Sequence, residues 1–158
     1  MDTFKEELYG KVLWECYRSK AYIIVLSLIY VSISVASIIL AMEKGMPYWM
    51  IAALVVAFSL WRINRVHHPV ALVCEKRLLV AVPWSFLSFD YYLTLQALYM
   101  PVDYKEVAGV SSHWDRLYIG APIVGGMVAL PVQLSYVSVN DKSSFQDWVE
   151  TKRDEESN

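Results

Sequence analysis

The sequence predicts an α+β membrane protein, a two-helix transmembrane hairpin followed by a small antiparallel β-barrel or sandwich closed by a C-terminal helix. Three observations carry this. Residues 21–42 and 46–61 contain no charged side chain. Beyond Pro69 the chain changes to short alternating apolar and polar runs broken by Pro and Gly, which is strand periodicity. From Ser143 an apolar stripe recurs at helical spacing.

Composition narrows the class further. Of 158 residues, 56% are hydrophobic and only 19% charged, with a formal net charge of −2. Intrinsic disorder requires few apolar residues, and a nucleic-acid binder requires excess basic charge. Neither fits. Two cysteines, Cys16 and Cys74, are too few for a disulfide scaffold.

The elements follow in order. Residues 4–18 read as an amphipathic helix within an N-terminal cytoplasmic segment, 1–19. Leu8, Tyr9, Val12, Leu13 and Cys16 share one arc, with Glu7, Lys11, Glu15 and Arg18 opposite. Such a helix lies on the membrane surface, binds a partner, or packs on the protein's own domain.

The transmembrane hairpin is placed at 20–63. The first uncharged run, 22 residues, makes a helix of about 33 Å, against a hydrocarbon core of about 30 Å. The second is shorter, 16 residues, or about 24 Å, with Arg62 at its end positioned to snorkel toward water. A cleaved signal peptide has a shorter apolar core and a small-residue cleavage site before a polar mature chain. Here a second apolar run follows at once, so the hairpin is read as uncleaved.

Lys5, Lys11, Arg18 and Lys20 precede the first run, Arg62 and Arg65 follow the second, and the connecting loop has only Lys44. Basic flanks favour the cytoplasmic side. The expected placement is therefore the cell membrane, multi-pass, with both termini cytoplasmic. Trp14, Tyr17, Tyr22 and Trp61 would mark one interface, and Tyr48 and Trp49 the other.

The β domain with its helix is assigned to 64–153. Residues 71–74 and 78–82 flank Glu75-Lys76-Arg77, the pattern of a hairpin with a polar tip. Residues 91–100 and 128–134 alternate as strands, and 101–107 read as a turn with a short helix. Residues 78–102, with only Asp90, and the uncharged 117–140 also compete as further membrane helices. Gly120, Pro122, Gly125, Gly126 and Pro131 break the second, and a carboxylate in mid-span costs several kcal/mol in the first. The last helix is expected to start at Ser143, with Gln146 completing a capping box. Phe145, Trp148 and Val149 face the core, with Trp148 covering it, and 154–158 form an acidic frayed tail.

This layout resembles the bacterial pleckstrin-homology-like (PH-like) membrane proteins of the inner membrane. The residues that carry the resemblance are the strand pair over 71–82, the segment Met100-Pro101-Val102-Asp103-Tyr104-Lys105-Glu106-Val107, and the helix over 140–152. The resemblance implies a small barrel closed by the helix and a role in interaction or assembly. Phosphoinositide binding is not carried over, because it needs a basic strand-loop cluster and only Lys76 and Arg77 stand together in a candidate tip.

Residues that could carry chemistry are few. Adjacent His67 and His68 in an extended segment point apart and cannot chelate one ion. Ser111-Ser112-His113-Trp114-Asp115 groups a nucleophile, a base and a carboxylate, but triads assemble from distant parts of a fold. The glycines at 120, 125 and 126 lack the strand, helix and Lys context of a phosphate loop. No catalytic, cofactor or metal residue is assigned, and neither a small-molecule substrate nor nucleic acid is expected.

The candidate interaction surface is Trp84, Phe86, Leu87 and Phe89, with Lys76 and Arg77. Large apolar groups crowd 84–89 more densely than the inner face of one strand needs. The expected partners are the lipid bilayer and a protein, or further copies of the chain. The function expected is thus a non-enzymatic interaction module at the cytoplasmic face. The alternatives are a small membrane immunity or regulatory protein, or an enzyme using His113 and Asp115.

Overall fold

A computed structural model describes residues 7–81, 99–121 and 126–157 of the chain. The chain divides into two compact units, Ser19–His68 and a second made of Met1–Arg18 with Pro69–Asn158.

The first unit is a helical hairpin, α1 (Lys20–Lys44) and α2 (Met46–Val66). Ser19 caps α1, its hydroxyl accepting the Tyr22 N–H at 3.3 Å. Gly45 ends it at φ 86° and ψ −158°, a backbone region essentially reserved for glycine. Pro47 then occupies the first turn of α2, where a missing N–H costs nothing. Small side chains, Ala41, Ala52 and Ser59, are buried, and they permit close helix packing. Ile24, Val25, Leu28, Val35 and Leu54 point outward. Both helices are long and apolar enough to cross a membrane. Arg62, expected to reach from the helix end toward water, instead donates from Nε to the Tyr30 hydroxyl at 3.0 Å. Its guanidinium lies 5.8 Å from the Tyr30 ring centroid, a cation–π distance.

The second unit is α+β. Strands β1 (Val12–Cys16), β2 (Ala71–Cys74), β3 (Leu78–Ala81) and β4 (Tyr99–Val102) form an antiparallel sheet in sequential order. A 3-10 turn, Tyr104–Glu106, leads to β5 (Val107–Val110), β6 (Arg116–Ala121) and β7 (Gly126–Pro131), a second antiparallel sheet. After a second 3-10 turn, Leu134–Tyr136, the chain ends in α3 (Val139–Ser157). Among the described residues no ladder joins the two sheets into a closed barrel. Both sheets and α3 nevertheless feed one apolar cluster that includes Cys16, Val73, Leu78, Val107, Leu117, Leu130 and Phe145.

The expected helix over 4–18 is corrected. Among the described residues of that stretch only 7–9 are helical, and Gly10, at φ 77°, turns the chain into β1. Val12, Trp14 and Cys16 then alternate with exposed Leu13 and Glu15, a period of two. The register pairs Cys16 with Ala71 and Trp14 with Val73. The hairpin is therefore inserted between two neighbouring strands, and the N-terminal segment belongs to the β unit.

The last helix is corrected at both ends. Ser138 is its cap, accepting the Asp141 N–H at 3.2 Å and donating to the Asp141 carboxylate at 2.7 Å. Ser143 instead donates to the Asn140 carbonyl inside the helix. The acidic end stays helical to Ser157, with Lys152 and Glu155 paired at 2.6 Å. Within 117–140, β6 and β7 replace any membrane helix.

Candidate interaction surfaces

Tyr104 organises the centre of the β unit. Val102 leads it inward from β4, and its side chain is fully buried. Its hydroxyl donates to the Cys74 carbonyl at the end of β2, at 2.6 Å. Burial pushes the phenol well above its ordinary range. Cys16 and Cys74 are free and buried, and burial pushes their thiols up to about 12 and about 11.

The β2–β3 tip carries Lys76 and Arg77, both exposed. It is pinned by the N-terminal segment: Glu75 N–H donates to the Lys11 carbonyl at 3.0 Å, and Lys76 N–H to that of Tyr9 at 3.1 Å. Arg77 pairs with Asp103 at 2.8 Å. A cation so paired offers less charge to an anionic ligand than the sequence pattern implies.

The segment 84–89, with Trp84, Phe86, Leu87 and Phe89, lies outside the described residues. The strands that frame it are described. Ala81 pairs with Tyr99, and Ala71 with both Cys16 and Val80. Ala81 and Tyr99, the described residues on either side, thus lie at the end of the sheet where β1 and β2 connect to the helical hairpin.

A cavity of about 400 Å³ lies between β5 and α3. Gly109, Val110 and Trp114 line one side, and Phe145, Val149, Gln146 and Glu150 the other. Among the described residues β5 is the outer strand of its sheet, with β6 as its one paired neighbour. Sequence reasoning missed this groove. The Phe145 and Val149 stripe was visible, but its opposing strand, β5, was not: the turn reading ends at Val107, and residues 108–110 carry no assignment.

Ser111 to Asp115 form a tight turn. Ser111 donates to the Asp115 carboxylate at 2.6 Å and accepts the Asp115 and Arg116 N–H groups at 3.2 and 3.1 Å. The Ser111 hydrogen bond holds the Asp115 carboxyl below its ordinary range. Trp114 takes φ 59° within this turn. His113 is exposed. The turn uses the Ser111 hydroxyl to close its own backbone, with acid and alcohol bonded directly. His67 follows α2 as its C-cap. Among the described residues no group of three or more His, Cys, Asp or Glu could hold a metal ion.

No family model, no curated protein and no solved structure matches the chain.

Proposed function

We propose that the chain is a non-enzymatic membrane-anchored interaction module, whose hairpin holds a PH-like domain at the cytoplasmic face for protein or lipid binding, or for assembly. The observation that carries this reading is the insertion of the apolar hairpin between β1 and β2, whose ends pair at Cys16 and Ala71. The hairpin is thus joined by two covalent connections to two adjacent strands of the sheet. The arrangement of four and three antiparallel strands followed by one helix supports the PH-like assignment. Basic flanks support cytoplasmic termini. Among the described residues β5 is an edge strand beside a groove lined by Val110, Trp114, Phe145 and Val149 together with Gln146 and Glu150, a mixed surface suited to an extended protein segment.

Reporter fusions at Lys20 and Arg65 are expected to report cytoplasm, and one at Lys44 the outside. A photo-crosslinking residue placed at Gln146 in living cells should give a discrete adduct, and one at Asp147 none. Arg65 and Lys44 reporting the same side would overturn the anchor. Absence of any Gln146 adduct would overturn the groove as the binding surface.

A further inference from the structure

The β unit carries an exposed apolar patch next to the point where the chain enters α1. Arg18, the residue before the cap of α1, forms an antiparallel bridge with Val137. Its guanidinium also donates to the Gln133 side-chain carbonyl. Around this bridge stand three exposed side chains, Tyr17 at 41%, Tyr136 at 45% and Val139 at 80% exposure. Val137 itself is buried, so the bridge turns its neighbours outward.

The position of this patch along the chain says what covers it. Ala21, the first residue of the apolar run, lies three residues beyond Arg18, a reach of about 10 Å. The headgroup layer on each side of the hydrocarbon is about 5–7 Å thick. Anything bridged to Arg18 is therefore held within reach of that layer whenever α1 crosses a bilayer. The composition suits the place. Tyrosines carry an apolar body and a polar tip, and the exposed Lys20 supplies a cation for lipid phosphates.

We propose that Tyr17, Tyr136 and Val139 form a membrane-seating surface, covered by the boundary between lipid headgroups and acyl chains. This rests on the reading that α1 and α2 cross a bilayer. It adds a third contact, made by the β unit, to the two chain connections.

The test is spin labelling of the full chain in anionic phospholipid vesicles. Single Cys replacements at Tyr136, Val139, Asp147 and Val35 are labelled, and each label's collision with oxygen and with a water-soluble nickel chelate is measured. Cys16 and Cys74 are buried, and unmodified protein gives their background. Labels at Val139→Cys and Tyr136→Cys should favour oxygen over nickel at least threefold more than one at Asp147→Cys. Val35→Cys should meet oxygen alone. Nickel reaching Val139→Cys as freely as Asp147→Cys, with Val35→Cys still in lipid, would overturn the surface but not the anchor. Shielding of Val139→Cys from both reagents would mean that a second copy or another protein covers it, and overturns the proposal equally. Nickel reaching Val35→Cys would overturn the anchor, and with it this surface.

Discussion

Val70 donates its backbone N–H to the carbonyl of Cys16 at 2.7 Å, although the whole helical hairpin lies between them in sequence. Ala81 continues the row, donating to the Val70 carbonyl at 2.8 Å. β1 is thus secured only when the chain has passed through both apolar helices and returned. Folding of the β unit is coupled to closure of that hairpin, a long loop whose closure entropy grows only slowly with its length.

Gly10 tests how firmly the N-terminal segment is built into the sheet. Its φ is 77°, and a Cβ placed there would stand 2.8 Å from Glu75 Cβ. Gly10→Ala should destabilise the β unit by about 2 kcal/mol or more, the sum of backbone strain and steric conflict. Chemical denaturation in detergent, followed by tryptophan fluorescence, measures it. An unchanged midpoint would show that the segment does not fold against the β2–β3 tip.

The core of the last helix gives an ordered series. Phe145 is 1% exposed and Val149 6%, whereas Trp148 packs at the margin of the cluster. Phe145→Ala should cost about 3–5 kcal/mol. Trp148→Ala should cost less, and Glu150→Ala, on the exposed face, under about 0.5 kcal/mol. A larger loss from Trp148 than from Phe145 would restore the sequence expectation that the indole covers the core.

How much of this was legible depends on whether a signal is local. The apolar hairpin was, because spanning helices need consecutive uncharged residues and nothing else. The β2–β3 tip was, because Glu75-Lys76-Arg77 interrupts two apolar runs. β1 was not. Five residues, Val12 to Cys16, satisfy a helical arc and a strand alternation together, and the partner that decides lies beyond both helices. The cap of α3 was ambiguous for a similar reason. Ser138 with Asp141 and Ser143 with Gln146 both have capping-box spacing, and the helix begins at the earlier one. The groove between β5 and α3 was invisible, since it exists only where two remote segments meet.

Alkaline pH should loosen the β unit. The folded-state pKa values of Cys16 and Cys74 are raised from 9.0 to about 12 and about 11, and that of Tyr104 is raised from 10.0. Groups raised in the folded state bind protons more tightly there than in the unfolded chain. Their contribution is intact below pH 9 and is lost as pH rises through the folded values. The denaturation midpoint should therefore be flat from about pH 7 to 9 and fall above it. Replacing both cysteines by Ala should lower the plateau and flatten the fall. A fall of unchanged steepness in that variant would assign the loss to other groups.

Trp84 to Phe89 provide the last test. Ala81 and Tyr99, which frame the segment, pair in the same row as Cys16 and Val70, and the Tyr99 hydroxyl donates to the Pro69 carbonyl at 2.9 Å. Ala81 and Tyr99 therefore lie at the end of the sheet where the chain passes into its apolar helices. Trp84, Phe86, Leu87 and Phe89 are more large apolar residues than the alternate positions of one inner face need, and the prediction is that they contact the membrane or a partner. Leu87→Ser with Phe89→Ser should leave the denaturation midpoint within about 0.5 kcal/mol, as surface changes do. Fluorescence of Trp84, isolated by replacing the other tryptophans with Phe, should be quenched by brominated lipid, and the double change should weaken that quenching. Cooperative unfolding caused by the double change would show instead that these side chains belong to the core of the β unit.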